Sequence, residues 1–309
     1  MLDLKRLRIL REVTARGSFS AAADSLYVSQ SAVSQQISAL EAEVGVPLLL
    51  RLRTGPVLTD AGSLLVSHAD AAICRLEQAE RELGELSGLG SGQLRLISFP
   101  SASATIGTGA ATELRRRHPE IQLSLAEADP EDSIPALKRG EHDLALVYDF
   151  ELNPFEPDRD LDLTLLMTER MHVVLPPDHR LADRAAIDLS DLEDEAWLGG
   201  NLGGSCRELT ILSCLMVGFE PEISFETSDY NVMQSMIAAG LGVTLLPDLA
   251  LAFTHPGVKV IPVQPKAPVR RVWAAALTVG SRSSATDAML EVLVEVGAEF
   301  EAAAPAMVA

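Results

Sequence analysis

Polar side chains near the N-terminus share one helical spacing. They are Ser31, Ser34, Gln35 and Ser38, which lie at i, i+3, i+4 and i+7, so a helix would place them on one face. An exposed helix face usually carries Lys and Glu, whereas hydroxyls and amides can approach base edges, and Gln can form two hydrogen bonds with adenine. The alternative interpretation is an ordinary solvated face.

Three predicted helices would hold this face in place. Apolar residues at helical spacing predict the first over residues 4–16, and a second, alanine-rich helix follows over residues 20–26. Ser29 is a suitable N-cap for a third helix, which extends to Val44 and carries the polar face. Residues 47–59 contain two short apolar runs around a turn, which predicts a wing. Together these elements predict a winged helix-turn-helix.

This module would bind a double-stranded DNA operator, with its third helix in the major groove. The predicted DNA-contacting residues are Ser29, Gln30, Ser31, Ser34, Gln35 and Ser38, within a helix-turn-helix spanning Phe19 to Ser38, and Arg51, Arg53 and Thr54 in the wing. The whole chain has a net charge of −19, but residues 1–62 carry seven Lys or Arg against six Asp or Glu. A nearly neutral module binds DNA weakly by charge alone, which predicts help from dimerisation.

A long helix is predicted over residues 60–86. Its apolar residues alternate between spacings of four and three, as in the seam of a coiled coil. The seam residues are Leu65, Ala69, Ala72, Leu76, Ala79, Leu83 and Leu86. This pattern favours pairing with a second chain, and packing of the helix on its own domain is the alternative.

Beyond a glycine-rich hinge, strands and helices alternate in two series. Each series predicts an α/β lobe with a βαβαβ-like parallel sheet, and segments near 161–168 and 262–272 would cross between the lobes and leave a cleft. The fold class is therefore multi-domain, an all-α winged helix-turn-helix followed by a two-lobed α/β domain. The predicted domains are residues 1–59 (DNA binding), 60–87 (linker helix), 88–92 (hinge) and 93–309 (two lobes), with lobe I at about 93–163 and 266–309 and lobe II at about 164–265.

Several other classes of protein are disfavoured. The cysteines, Cys74, Cys206 and Cys214, form no disulfide framework, and the N-terminus lacks the features of a signal peptide. No apolar stretch is long enough to span a membrane. The common catalytic, phosphate-binding and metal-binding motifs are absent, so we predict no catalysis, no cofactor and no metal site. We expect a cytoplasmic protein, and a solute-binding receptor is a weaker alternative for residues 93–309.

Residues 7–62 resemble the DNA-binding module of LysR-type transcriptional regulators. The matching residues are Gly17-Ser18-Phe19-Ser20-x-Ala22-Ala23, then Leu26-x-Val28-Ser29-Gln30-x-Ala32-Val33-Ser34-x-x-Ile37-x-x-Leu40-Glu41, then Gly45-Val46-x-Leu48-Leu49-x-Arg51 and Leu58-Thr59-x-Ala61-Gly62. The rest of the chain agrees through the linker helix, the lobes and the run Ile237-Ala238-Ala239-Gly240-Leu241-Gly242-Val243-x-Leu245-Leu246-Pro247. Ser31 stands where the family often has proline, and Leu49 where it usually has an aromatic residue.

The resemblance implies a transcription regulator whose lobes form an effector-binding domain related to periplasmic binding proteins. It also implies a homodimer or homotetramer, with RNA polymerase as a further candidate partner. Effector binding would close the cleft and change how the dimers bend or space the DNA.

A small carboxylate or an amino acid is the predicted effector, because helix N-termini at the mouth of the cleft favour anions. The predicted effector-binding residues are Ser101, Ser103, Tyr148, Asn201, Gly203, Ser205, Thr227, Asp229 and Thr244. Helix capping is the alternative role for each hydroxyl. Redox sensing by Cys206 is an alternative function, since some family members sense peroxide through a cysteine pair in this region. A disulfide with Cys214 would span about 12 Å along one helix, which is too far without unfolding.

Overall fold

The computed structural model describes residues 2–52, 55–86, 92–278 and 282–307. The chain divides into two compact units, one of Met1–Gly90 with Lys138–Glu141, and one of Ser91–Leu137 with His142–Ala309. Residues 88–91 of the predicted hinge lie outside the described residues. The other predicted domain boundaries stay predictions.

The first unit contains four helices and one hairpin among its described residues. They are α1 (Leu4–Arg16), α2 (Phe19–Ser25), α3 (Gln30–Val44), β1 (Leu49–Leu52), β2 (Gly55–Leu58) and α4 (Asp60–Leu86). Capping residues explain the boundaries: the side chains of Asp3, Ser18 and Ser29 each accept a hydrogen bond at a helix start. The buried core joins α1, α2, α3 and the hairpin through residues such as Leu10, Ile37 and Leu48. The predicted third helix and wing are confirmed.

The second unit is an α/β structure. Its strands are β3 (Gln93–Ser98), β4 (Gln122–Glu127), β5 (Leu144–Phe150), β6 (Leu161–Leu175), β7 (Ala196–Gly199), β8 (Glu222–Glu226), β9 (Thr244–Pro247), β10 (Lys259–Pro262) and β11 (Val269–Leu277). Its helices are α5 (Pro100–Ala102), α6 (Thr108–Arg117), α7 (Pro130–Lys138), α8 (Ser205–Met216), α9 (Tyr230–Ala238), α10 (Asp248–Leu251) and α11 (Ser284–Met307), with a π-helical turn at Ser103–Gly107.

The main sheet is mixed rather than parallel. Its order is β10-β6-β11-β5-β3-β4, with β9 also paired to β6. The parallel prediction is confirmed for β3 with β4 and β5, and β7 pairs with β8 in parallel. It is wrong for β6, which runs antiparallel to β9, β10 and β11. The predicted crossing segments are therefore paired strands for most of their length, because the first half of β6 hydrogen-bonds along β11.

The first helix after β3 begins earlier than predicted. The sequence predicts a start at Thr105, but helical structure runs from Pro100 through the π-helical turn into α6. Proline is well suited to the first helical position, because the N–H that it lacks would have no partner there. Ser101 and Ser103 consequently lie inside the first turns of this helix, not in a loop.

Candidate DNA interface and effector cleft

The third helix presents one polar face to solvent. Val33, Ile37 and Leu40 are fully buried in the core, which fixes the rotation of α3. Of the predicted contact residues on the opposite side, Ser34 is half-buried, and those that are exposed are Ser29, Gln30, Ser31, Gln35 and Ser38. The structure therefore brings the predicted side chains together. Ser29 Oγ also accepts from the N–H of Ala32 at 3.2 Å, so this hydroxyl caps the helix as well.

The wing is a short hairpin whose attachment depends on two side chains. Glu41 Oε1 accepts from the backbone N–H groups of Leu48 (2.9 Å) and Leu49 (3.2 Å), which ties the start of β1 to α3. Thr59 Oγ1 donates to the carbonyl of Pro47 at 2.8 Å and accepts from the N–H of Gly62 at 3.0 Å. These contacts join the wing to both neighbouring helices.

The predicted wing contacts are only partly placed. Arg51 lies in β1, opposite Pro56, and its side chain lies outside the described part of the chain. Arg53 and Thr54 also lie outside the described residues. Their proposed phosphate contacts stay predictions.

The predicted seam of α4 has two parts. Ala69 is buried in the core of the first unit and Leu65 packs against that core, as the alternative interpretation requires. Further along, Ala72, Leu76 and Ala79 are exposed, and Leu83 is 65% exposed. The side chain of Leu86 lies outside the described part of the chain. This second part is an apolar stripe with no cover in the described chain.

A cleft opens between the two lobes of the second unit. Residues of the first lobe that line it are Phe99, Pro100, Ser101, Asp129, Glu131 and Tyr148. The second lobe contributes Gly200, Asn201, Gly204, Ser205, Cys206, Arg207, Thr210, Thr227, Ser228, Tyr230, Met233, Thr244 and Leu245. The cavity volume is about 40 Å³ on the scale where one water needs about 10–15 Å³, so it admits about three waters as it stands.

Six of the nine predicted effector residues line this cleft, namely Ser101, Tyr148, Asn201, Ser205, Thr227 and Thr244. The other three do not. Ser103 donates to the carbonyl of Ser98 at 3.4 Å, and Asp229 caps α9 by accepting from the N–H groups of Asn231 and Val232. Gly203 forms a turn at φ 82°, and its neighbour Gly204 lines the cleft instead.

The N-terminus of α8 is not the free anion site that the sequence suggests. The N–H of Ser205 donates to Glu131 Oε1 at 3.1 Å, so a carboxylate of the first lobe already occupies it. Asn153 of the first lobe also donates to Glu208 of α8 at 3.4 Å. These two contacts join the lobes on either side of the cleft.

The cleft contains an acidic side chain, Asp129, without a direct partner, whereas the charge of its basic side chain, Arg207, is paired. Asp129 is half-buried, and its carboxylate makes no hydrogen bond or ion pair with any described residue, although its backbone carbonyl accepts from Asp132 and Ser133. Burial raises the pKa of its carboxyl, and the neighbouring charge of Glu131 raises it further. By contrast, the guanidinium of Arg207 lies 2.6 Å from Glu226, so its charge is already paired.

One thiol lies in the cleft between two phenols. Cys206 Sγ lies 3.5 Å from Tyr148 Oη and 3.3 Å from Tyr230 Oη. Burial raises the pKa of both phenols well above the usual range of a tyrosine, so both stay neutral at neutral pH. Cys214 lies in the core, where burial raises the pKa of its thiol to about 12.

A buried ion pair lies directly behind the cleft wall. Arg270 Nε lies 2.6 Å from Glu169 Oε1, and both side chains are fully buried. Arg270 Nη2 donates to Ser101 Oγ at 3.1 Å, and its guanidinium lies 4.8 Å from the centre of the Tyr148 ring. The backbone N–H of Leu249 donates to the other Glu169 oxygen at 2.7 Å. The pair therefore holds cleft residues of the first lobe and the start of α10.

Comparison with known proteins decides the family. Residues 4–63 match the profile of "Bacterial regulatory helix-turn-helix protein, lysR family", and residues 87–298 match that of "LysR substrate binding domain". The chain belongs to the LysR family. It is thus a DNA-binding transcriptional regulator with a two-lobed effector-binding domain, as the sequence predicts.

Two relatives and two structures illustrate the likeness of this LysR-family regulator. The transcriptional dual regulator GltC of Bacillus subtilis is 32% identical over 267 residues, covering 85% of this chain and 87% of GltC. OxyR of Escherichia coli is 29% identical over 253 residues, covering 81% and 80%. A full-length OxyR variant from Pseudomonas aeruginosa superposes with a TM-score of 0.71 at 25% identity, covering 95% and 98%. CbnR, with a TM-score of 0.68 at 18% identity and covering 96% and 99%, shares the fold.

Sequence reasoning missed several groups of the regulator's cleft. Asp129 and Glu131 follow β4, and the rule that turns after parallel strands line such clefts would have identified them. No local sequence pattern indicates the ion pair of Glu169 and Arg270, because the two residues are 101 positions apart in the sequence. Among the described residues, no helix is long and apolar enough to cross a membrane, and no group of His, Cys, Asp or Glu is arranged to hold a metal ion.

Proposed function

We propose that this LysR-family regulator reads its operator with the exposed polar face of α3, assisted by the wing. The observation that carries the proposal is the exposure of Ser31, Gln35 and Ser38 on a helix whose opposite face is locked in the core. Short hydroxyl and amide side chains suit contacts with base edges in the major groove. The names of the relatives, which are transcriptional regulators, support a role without catalysis.

Gln35→Ala tests this interface, with Gln36→Ala as the matched control. Gln36 is also exposed on α3, but its side chain lies toward α1, where Gln36 Oε1 accepts from Arg6 Nε at 3.3 Å. We expect Gln35→Ala to weaken binding of a duplex selected from a random pool about tenfold and to relax the preference for one base, since a bidentate contact is worth about 1–3 kcal/mol. Gln36→Ala should bind normally. Gel-shift titration measures both, and equal effects of the two variants would contradict the proposal.

The proposed oligomer is a homodimer formed along the exposed part of the α4 seam, with two dimers giving a tetramer. Ala72, Leu76, Ala79 and Leu83 form a small-residue and leucine stripe of the kind that pairs in coiled coils. A dimer doubles the DNA contacts of a nearly neutral module. It also places two recognition helices at half-sites about one helical turn apart or at multiples of it.

Leu83→Glu tests the seam, and Leu64→Glu is the matched control on the same helix. The two leucines are 65% and 63% exposed, but only Leu83 belongs to the seam. A dimer would lose two buried leucines, each worth about 2 kcal/mol, so we expect dissociation to become at least roughly 100-fold easier. Sedimentation velocity of the full chain measures this. The seam is excluded if both variants keep the wild-type mass.

We further propose that the effector is an amino acid, carrying an ammonium as well as a carboxylate. The support is the carboxylate of Asp129 beside Glu131, which has no direct hydrogen-bond or ion-pair partner among the described residues and favours a cation in the cleft. Hydroxyl donors for a carboxylate are present on the same walls, at Ser101, Tyr148 and Thr227. The cavity has room for about three waters as it stands, so binding of an amino acid with a long side chain would require the lobes to move, which links occupancy to conformation.

Asp129→Asn tests the class of effector. Thermal shift of the full chain is measured against the common L-amino acids and the matching carboxylic acids that lack the amino group. We expect an amino acid to stabilise the protein, its counterpart to fail, and Asp129→Asn to weaken binding about tenfold, the usual scale for a charged hydrogen bond. Asp132→Asn, an exposed neighbour outside the cleft, is the control. A carboxylic acid that binds as well as its amino acid would refute the proposal.

A second candidate function is peroxide sensing by Cys206. The supporting observation is a thiol on the cleft surface, together with relatives named for peroxide-inducible activation. In this case the thiolate attacks peroxide, an S–O bond forms as the O–O bond breaks, and the departing oxygen takes a proton to leave as water. Cys206→Ser would then abolish a peroxide-dependent change in DNA binding, while Cys214→Ser would keep it. An unchanged response in Cys206→Ser ends this candidate.

A further inference from the structure

Tyr27 has an unusual backbone conformation for a residue of its size. Its φ is 55°, in the left-handed region, and it is the only non-glycine residue with a positive φ in the described ranges. Bulky L-residues are disfavoured there because Cβ approaches the following carbonyl oxygen. The outlier lies in the turn between α2 and α3, two residues before the cap of the recognition helix.

The hydrogen bonds around Tyr27 form a standard helix C-terminus that usually ends on glycine. The N–H of Val28 donates to the carbonyl of Ala23 at 3.0 Å, and the N–H of Tyr27 donates to that of Asp24 at 3.3 Å. This is the Schellman pattern, with Tyr27 at the left-handed position. The same unit ends α1 on Gly17 at φ 62° and α3 on Gly45 at φ 78°. Tyrosine therefore stands where the two neighbouring helices use glycine.

Two backbone hydrogen bonds hold this conformation, but no side-chain contact in the described chain explains why the residue is tyrosine and not glycine. The side chain of Tyr27 is 96% exposed, and its hydroxyl makes no hydrogen bond to any described residue. Residues in such sparsely populated backbone conformations cluster at active sites and ligand-binding sites. Val28, the next residue, is also exposed, at 46%. The pair thus projects from the same end of the module as Ser29.

Among its described residues, the DNA-binding module has few unpaired positive charges, so an uncharged side chain that donates a hydrogen bond to phosphate would help it to bind DNA. Three of its arginines are engaged with its own carboxylates: Arg6 lies 2.8 Å from Glu43, Arg11 lies 3.9 Å from Asp70, and Arg16 lies 2.8 Å from Glu12. Phosphate oxygens also accept from tyrosine hydroxyls, and such contacts fix the position of a module without reading sequence. A tyrosine beside the groove-entering end of α3 supplies such a donor.

We infer that Tyr27 is a DNA-contacting residue whose hydroxyl donates to a backbone phosphate next to the half-site, held there at the expense of a left-handed backbone. This inference rests on the DNA binding of the regulator. The inference gives Tyr27 opposite effects on two quantities, the stability of the folded module and its affinity for DNA. Tyr27 weakens the folded module and strengthens its complex with DNA.

Tyr27→Gly and Tyr27→Phe separate the two effects in the full chain. Glycine relieves the backbone, so peptides covering α2 and α3 should gain about fivefold protection from hydrogen exchange, while affinity for a 25-base-pair duplex selected by the wild-type chain falls about tenfold. Phenylalanine keeps the backbone and removes only the hydroxyl. Its protection should stay at the wild-type value, and its affinity should also fall about tenfold. The slope of affinity against salt should not change, because a neutral donor releases no extra counterion.

The results that overturn the inference are equally specific. Wild-type affinity in Tyr27→Phe excludes the hydroxyl contact, and loss of protection in Tyr27→Gly shows that the tyrosine stabilises the fold. A loss of affinity that differs between single-base variants of the duplex identifies a base contact instead of a phosphate contact. If the wild-type chain selects no duplex at all, the proposed operator reading fails together with this inference.

Discussion

Glu169→Gln should destabilise the effector-binding domain by about 3–5 kcal/mol. The substitution removes the charge that faces Arg270 at 2.6 Å and leaves a guanidinium buried with no counter-ion. Arg270 cannot escape by losing its proton, because a guanidinium stays protonated in proteins even without a partner. The destabilisation therefore comes from an unpaired buried charge, not from one lost hydrogen bond.

Tryptophan fluorescence during urea unfolding measures the free energy of unfolding of the effector-binding domain. Both tryptophans of the chain, Trp197 and Trp273, lie in the effector-binding domain. Glu151→Gln is the matched control, because Glu151 pairs with Lys266 at 3.2 Å on an exposed surface, where such pairs contribute about 0–1 kcal/mol. The double variant Glu169→Leu with Arg270→Met should recover most of the loss, since both charges are then absent. A loss below about 1 kcal/mol in Glu169→Gln would contradict this account.

The same variant should disturb the cleft. Arg270 holds Ser101 by a 3.1 Å hydrogen bond and lies 5.0 Å from the ring centre of Phe99. Ser101 and Phe99 both line the cleft. We therefore expect Glu169→Gln to weaken effector binding as well as the stability of the domain.

Local signals made the DNA-binding module predictable. The serine cap of α3, its terminal Gly45 and the spacing of Val33, Ile37 and Leu40 all act within a few residues of the structure that they determine. Tyr27 shows the limit of this approach. A tyrosine in a turn carries no warning that its backbone is left-handed, because that conformation follows from the bonds to Ala23 and Asp24.

In the two-lobed domain, the alternation of strands and helices was predictable, but the pairing of the strands that connect the lobes was not. The sequence prediction covers only residues 171–175 of β6, although Leu161, Leu163 and Leu165 alternate with Asp162 and Thr164 in its first half, a pattern typical of a half-buried strand. Those residues are strand residues because β11 supplies the hydrogen bonds from about 100 residues away. Six of the nine predicted effector residues line the cleft because turns that follow strands collect at one edge of a sheet, whatever the order in which the strands pair.

Gly62→Ala should disrupt the DNA-binding module. A Cβ on Gly62 would lie 2.1 Å from the carbonyl oxygen of Leu48 and 2.9 Å from a methyl of Leu58. The first of these atoms belongs to the backbone, so no side-chain rotation can relieve the overlap. That carbonyl also accepts from the N–H of Thr59 at 3.0 Å, the bond that closes the wing onto α4. We expect a loss of about 3 kcal/mol or more and no measurable operator binding.

Gly84→Ala is the matched control for this substitution. Gly84 lies in the same helix, and a Cβ placed there meets nothing within 4 Å. Alanine should stabilise that turn of α4 by about 0.5–1 kcal/mol and leave operator binding unchanged. Hydrogen exchange of peptides over α3 and the wing measures the module, and the tryptophan transition should stay at its wild-type midpoint in both variants. Wild-type protection and binding in Gly62→Ala would show that the close approach of α4 to the start of the wing does not hold the wing in place. The hydrogen bonds of Thr59 and Glu41 to the same segment would then have to hold it alone.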